Sequence, residues 1–508
     1  MLRIVAIVTL LAVSASVMLF IAGCDGSSGP GVGSIEGYVF GQIAVGSTAN
    51  SRAMAVGRGP TPPPGYEAIQ GAVVIVTGSS TIATTDAAGY FRIDNVVGGP
   101  QTVTVSKADY LTAVVAVTVA QGQLVTVADA LLEPSSRKWT FLVFLNADNT
   151  LEPWGIEDVN EMEMVGSSAE VDIIVQMDRI IGYDTSNGDW TGCRRMRIER
   201  DSDPATITSP VLQEMGELDM GDWQVLRDFD QWGTTNYPAE HYVLVLWNHG
   251  NGWRSATAES RNPLTRGVSF DDTSGTNISI PDLPRALDVQ PRLDIISFDA
   301  CLMQMTEVAY ELRHFGRIMV GSEDNWPNEG YPYQTFLATL VATPTMTPEQ
   351  FAGEIVTQSV SYYTTGGYTI GLTQSAVSLA KMDSLASALD GFARALATAM
   401  PTFSSQIASA RSQAQRYWYP DNKDLYDFAR LVSAAVPRDN VTTAAQAVTQ
   451  AVDDTVFAEA HNAARANSHG LAIYVPSSTT YASNRSSYQQ LELSANTFWD
   501  NWLAISPP

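Results

Sequence analysis

The sequence predicts an α/β domain, a mostly parallel sheet flanked by helices, preceded by a small β-sandwich. Three observations predict it. Between residues 138 and 508, short apolar blocks alternate with stretches of helical spacing, the pattern of parallel strands covered on both faces. Between residues 34 and 134, β-branched and aromatic runs recur every 8–12 residues with no helical period. The chain has 508 residues, 45% of them hydrophobic, which is enough for more than one core.

Residues 1–23 read as an export signal. Arg3 supplies positive charge, an apolar run follows to Ile21, and Ala22-Gly23 precede Cys24. A cysteine directly after a small pair resembles the lipobox of bacterial lipoproteins, which implies acylation of Cys24 and a lipid anchor in the cell envelope, with inner and outer membrane both open. A plain transmembrane anchor is the alternative reading of the same run. Residues 24–33, rich in Gly and Ser, form a flexible tether.

Segment 34–134 carries strands near 73–76, 90–93, 102–105 and 114–117, with turns at Asp86-Ala87-Ala88-Gly89 and Gly98-Gly99-Pro100. Residues 49–65 read as a long inserted loop. The phrases Ile35-Glu36-Gly37-Tyr38-Val39 and Thr85-Asp86-Ala87-Ala88-Gly89-Tyr90-Phe91 resemble the carboxypeptidase regulatory-like domain. No cluster of His, Cys or carboxylates here suits chemistry, so a spacer is expected.

In the 138–508 domain, strands are expected at 139–145, 171–177, 242–247, 293–298 and 318–321. Helices are expected at 156–165, 223–232, 283–287, 306–315, 348–363, 382–400, 425–435 and 444–466, and residues 471–475 are expected to return to the sheet. In parallel sheets, ligands bind beyond the carboxyl ends of strands. Two such ends stand out: Asn248-His249-Gly250-Asn251-Gly252-Trp253 and Asp299-Ala300-Cys301-Leu302-Met303. His249 lies 52 residues before Cys301, about one crossover, so adjacent strands would bring both to one edge. A thiol nucleophile needs an imidazole within reach to take its proton. The backbone N–H groups of Gly250 and Cys301 are the candidate oxyanion hole. Metal ligation by His249 lacks a second ligand at neighbouring helical or strand spacing. His469 is the rival histidine.

These two phrases resemble the clostripain family of cysteine peptidases, relatives of caspases, gingipains and legumain. Phe144-Leu145-Asn146-Ala147-Asp148-Asn149, Gly321-Ser322-Glu323-Asp324, Asp424-Leu425-Tyr426-Asp427 and Gly470-Leu471-Ala472-Ile473 fit it too, across residues 138–508. The resemblance implies a caspase-like fold, Cys301 as nucleophile and His249 as general acid/base. It also implies cleavage after Arg or Lys, with Asp299 in the specificity pocket. Glu323 and Asp324 are expected to add negative potential for substrate. Self-processing is expected in the 254–267 loop, with Arg261 and Arg266 as candidates. No cofactor is required, although calcium stimulation is known in the family; Asp271-Asp272 is one acidic pair that could hold the ion, and no segment matches an EF-hand loop.

Charge sets the partners. With 29 Lys+Arg against 54 Asp+Glu, the net charge is −25, which excludes nucleic acid and suits basic peptide or protein substrates. Three cysteines exclude a disulfide scaffold; Cys193 has no evident role. The competing reading is a catalytically silent surface binding or adhesion protein on the same fold.

Overall fold

The computed structural model describes residues 31–42, 61–63, 66–77, 82–107, 110, 113–132, 137–253 and 267–508. Cys24, Arg261 and Arg266 lie outside the described residues. The chain divides into two units, one covering residues up to Lys107 with Thr112–Glu133, the other Pro134–Pro508 with Ala108–Leu111.

The first unit is two antiparallel-rich sheets. One is built on the 11-residue strand Val32–Gln42, which pairs with Tyr66–Ala68, Tyr90–Val97, Leu124–Thr126 and Ala130–Leu132. The other runs in the order Ile82–Thr84, Val73–Val76, Gly99–Ser106, Ala113–Val119. Alternate residues point inward, as Val74 and Val76, Phe91 and Ile93, and Val103 and Val105 show.

The second unit is organised by a nine-stranded sheet. Its strands, in chain order, are β1 (Trp139–Ala147), β2 (Val171–Arg179), β3 (Gly192–Arg197), β4 (Val211–Gly216), β5 (His241–Trp247), β6 (Leu293–Asp299), β7 (Gly316–Gly321), β8 (Thr373–Ser378) and β9 (Val456–His461). Their spatial order is 4-3-2-1-5-6-7-8-9. The five central strands β2-β1-β5-β6-β7 are parallel, and antiparallel pairs β3-β4 and β8-β9 finish each side.

The apolar blocks are continuous because both faces are covered. Leu142, Phe144, Leu244, Leu246, Ile296 and Phe298 join one core with helices Trp223–Asn236, Met382–Gln413 and Leu425–Ala435. Phe141, Val143, Leu145, Val243, Val245 and Ile295 join the opposite core with helices Glu152–Glu163, Tyr333–Ala342 and Pro348–Thr365. Each such side chain contributes roughly 1.5–3 kcal/mol on burial. Among the described residues, one ion pair is fully enclosed: Arg179 Nε lies 2.7 Å from Glu152 Oε1, with both side chains inaccessible.

Three expectations are corrected. The segment 444–466 is not one helix: helix Asp439–Thr455 ends and the edge strand β9 follows. Strand Ala472–Tyr474 does not enter the main sheet; it pairs with Asn422–Asp424, and Ala472 bridges Met305. The helix expected over 382–400 runs on to Gln413 across a kink, because Pro401 has no N–H to donate and Phe403 leaves helical geometry (φ −120°, ψ 21°).

Candidate active site

Strands β5 and β6 set the site. Trp247 pairs with Asp299, so the chain leaves both strands at one level of the sheet, His249 two residues beyond the first and Cys301 two beyond the second. Both residues line one cleft, together with Trp247, Asp299, Trp326 and Gly330. Cys301 is followed at once by Leu302 in the left-handed region (φ 64°), a conformation that costs a branched residue energy and turns the chain sharply beneath the thiol. A Cβ on Gly250 would lie 2.4 Å from the carbonyl oxygen of Cys301, so only glycine lets these two turns touch. Asn251 N bonds Gly267 O at 3.0 Å, which leaves the Gly250 amide outside that pairing.

The thiol and imidazole are not bonded to each other. His249 Nε2 lies 3.1 Å from Thr150 Oγ1, and burial holds its pKa below the ordinary histidine range. Cys301 Sγ accepts from Trp326 N at 3.2 Å and faces Trp326 O at 3.6 Å. Burial pushes its thiol up to about 11, with Asp324 and Asp299 adding to the effect. The pair therefore rests as neutral thiol and neutral imidazole, inside a cleft of only about 20 Å³, near the room of one water.

Asp299 forms the floor. It is 4% exposed, and its Oδ2 accepts from Tyr331 N at 2.9 Å and Tyr333 OH at 3.0 Å. A second buried carboxylate, Asp158, faces it and takes the indole N–H of Trp247. Gly330 (φ 67°) separates the two: a Cβ there would sit 2.6 Å from Asp158 Oδ2 and 3.0 Å from Asp299 Oδ2. Burial first, and neighbouring carboxylates after it, push Asp299 up to about 7 and Asp158 well above its usual range. Two buried acids without a cation are held in part protonated.

Glu323 and Asp324 do not face the cleft, contrary to expectation. Glu323 is fully buried; its Oε1 accepts from Tyr417 OH, and burial beside Asp424 raises its pKa well above normal. Asp324 pairs with Arg465 and accepts from Trp418 N at 2.7 Å. Asp324 holds the loop under Cys301 in place, since its backbone O receives Leu302 N at 3.0 Å. The rival His469 stacks on Tyr426 at 4.1 Å and approaches Asp424 at 3.2 Å, away from the cleft lining. Cys193 is buried and unpaired. Sequence reading did not single out Thr150, Asp158 or Trp326; of the three, only Thr150 adjoins a phrase that carries the family resemblance, Phe144-Leu145-Asn146-Ala147-Asp148-Asn149.

The clostripain family model matches residues 143–505, well over half of the chain. The chain belongs to the clostripain family of cysteine peptidases. A carboxypeptidase regulatory-like domain matches residues 64–133. Clostripain of Hathewaya histolytica is 30% identical over 195 residues, 35% of this chain and 36% of that protein, so the match spans about a third of the relative's length. Two solved structures share the fold. A zymogen C11 protease from Parabacteroides distasonis has a TM-score of 0.54 at 22% identity, over 72% of this chain and 99% of that one. A secreted C11 cysteine protease from Bacteroides thetaiotaomicron, with an irreversible peptide inhibitor, has a TM-score of 0.53 at 21% identity over the same shares.

Proposed function

We propose that this clostripain-family peptidase is an exported endopeptidase that cuts after Arg or Lys and is lipid-anchored through Cys24 in the bacterial cell envelope. The β-rich unit acts as its spacer. The observation that carries the reading is the β5–β6 register, which sets His249, Cys301 and the Asp299 carboxylate around one cleft. Export is further supported by the relative from Bacteroides thetaiotaomicron, which is described as secreted.

In this mechanism the substrate's basic side chain displaces the lining near Trp326 and pairs with Asp299, whose ionised form it favours. His249 takes the Cys301 proton, and the thiolate adds to the carbonyl carbon. The amides of Gly250 and Cys301 hold the oxyanion. The C–N bond breaks as His249 returns the proton to the leaving amine, leaving a thioester on Cys301. Water, deprotonated by His249, then adds to the thioester and releases the new carboxylate and the thiol. The same chemistry acts on the 254–267 loop at Arg261 or Arg266 to self-process the chain.

The competing reading, a silent surface binding protein, rests on the high thiol pKa and the nearly closed cleft. Hydrolysis of Arg- and Lys-terminated reporter peptides by wild type and Cys301→Ala decides. Thiol-dependent turnover that vanishes in the variant supports the peptidase. No turnover by wild type, after limited proteolysis and with or without calcium, establishes the silent reading. For self-processing, mass analysis should find cleavage after Arg261 or Arg266 in wild type and an intact Cys301→Ala chain; an intact active enzyme refutes it.

A further inference from the structure

The segment Arg416-Tyr417-Trp418-Tyr419 is tied to the loops of both His249 and Cys301, yet the chemistry above makes no use of it. Tyr417 is buried, and its OH donates to Glu323 Oε1. Trp418 N donates to Asp324 Oδ1 at 2.7 Å, and Asp324 O in turn receives Leu302 N beside Cys301. Tyr419 OH donates to Asn251 Oδ1 at 3.0 Å, two residues beyond His249. Asn422 closes the turn: its O accepts from Tyr417 N at 3.2 Å, and its N donates to Tyr419 O at 2.9 Å. The loop is therefore held at several points, and so is the base of each side chain on it. Of the 11 tryptophans, Trp418 alone is exposed, at 64%. Among the described residues its indole has no ring partner and no hydrogen bond. A large, rigid ring left in water beside a reaction cleft is an anchor for an apolar group of a ligand.

We propose that Trp418 is the specificity platform for the substrate residue immediately before the cleaved Arg or Lys, and that it selects an aromatic or large aliphatic side chain there; the inference rests on the peptidase reading above. Two facts fix the position. His249 must meet the leaving amine, so the acyl part of the substrate runs the other way from Cys301, over the end of β7, where Asp324 holds Trp418. The basic side chain descends toward Asp299, on the face of the sheet covered by helix Glu152–Glu163, because Asp299 is the register partner of Trp247 and Trp247 belongs to that core. Side chains of an extended peptide alternate, so the preceding one points to the opposite face. Tyr417 belongs to the core on that opposite face, and Trp418 stands next to it at the rim. The charge nearby excludes a second cation as the preferred group: the exposed Arg416 and Trp418 flank the buried Tyr417, and among the described residues Arg416 has no ion pair. An aromatic ring stacked on the indole gains both burial and ring contact.

The test measures kcat/KM of the wild-type enzyme, after limited proteolysis, on otherwise identical Arg reporters carrying Phe, Gly or Lys before the Arg. Phe should exceed Gly at least tenfold, and Lys should not exceed Gly. Trp418→Ala should bring the Phe-to-Gly ratio to within about twofold of one, and Trp418→Phe should keep most of it. If Trp418→Ala fails to fold, Trp418→Gln, which keeps bulk and removes the ring, decides. A merely structural role would lower all three reporters alike and leave the ratio in place. That shared loss, a Phe-to-Gly ratio near one in wild type, or a preference for Lys overturns the platform and leaves the peptidase reading standing. So does a preference at the residue after the cleaved bond that vanishes in Trp418→Ala, since it would put the indole on the leaving side. Wild type that turns over none of the reporters removes the peptidase reading itself, and the platform with it.

Discussion

Replacing Asp299 by Asn separates what this carboxylate does for substrate from what it costs the fold. The amide oxygen of Asn keeps an acceptor for Tyr331 N and Tyr333 OH, so the floor of the cleft survives and only the charge is lost. Removing one partner of a buried ion pair costs about 3–5 kcal/mol, which predicts a kcat/KM on an Arg reporter lower by about 150- to 5000-fold. A reporter with a neutral residue at that position should change little. Wild-type pH dependence carries the same information. Asp299 ionises near 7 in the free protein, so activity on the Arg reporter should fall about tenfold per unit below that pH, and the variant should lose this limb. His249, held below its ordinary range, leaves its own limb at lower pH in both proteins.

Stability should move the other way. A carboxyl whose folded pKa exceeds its unfolded value favours the fold at low pH, and that contribution is lost as pH rises through about 7. At pH 8 the wild type bears the cost of the buried charge, so Asp299→Asn should melt higher there. An unchanged ratio of Arg to neutral turnover, or an acid limb near pH 7 that persists in the variant, would refute the assignment.

Three further outcomes are expected. Alkylation of Cys301 by iodoacetamide at pH 8, followed by mass spectrometry, should run on the order of a hundredfold slower than a free thiol and accelerate up to pH 10, because its pKa is pushed up to about 11; a rate matching a free thiol contradicts the neutral resting pair. Thr150→Val, at an exposed position, should lower kcat about tenfold by releasing His249 Nε2 while leaving the denaturant midpoint in place; unaltered kcat removes Thr150 from the positioning of His249. Arg179→Ala should cost about 3–5 kcal/mol in urea unfolding because it leaves the buried Glu152 charge with only the Asp184 N–H and no counter-charge, and Arg179→Met with Glu152→Leu should recover much of it; equal losses in both would show that packing, not charge, dominates.

The centre of the fold was legible because both its faces are dry. Residues of β1, β5 and β6 are apolar almost without break, and the polar residues that end them mark where the chain leaves the core. The borders were harder. Strand β3, Gly-Cys-Arg-Arg-Met-Arg, and β8, Thr-Gln-Ser-Ala-Val-Ser, carry polar side chains whose partners are remote in sequence, such as Arg195 Nε to Gln176 Oε1 at 2.7 Å. Strand β9 reads as helix because Val-Phe-Ala-Glu-Ala-His continues the alanine spacing of the helix before it, and only pairing with β8 makes it a strand. At the site, strand-end position alone predicts that His249 and Cys301 share one edge of the sheet, and both line one cleft. The misplacement of Glu323 and Asp324 has a plain cause: a strand end tells which edge a carboxylate is near, but Tyr417 and Arg465, some 90 to 140 residues away, decide where it points. Asp158 was hidden for the same reason, as one acid among several on helix Glu152–Glu163.

The parallel centre of the sheet also orders events in time. Parallel neighbours cannot pair through a tight turn, so β5 and β6 meet only after a crossover has been made, and long-range pairings of this kind form late in folding. Trp253, four residues beyond His249, packs edge-on against Tyr474 at 4.6 Å and Tyr488 at 4.7 Å. The loop bearing His249 therefore gains this support only from residues more than 200 positions further along the chain. A chain folded only as far as β6 carries the imidazole of His249 without that support.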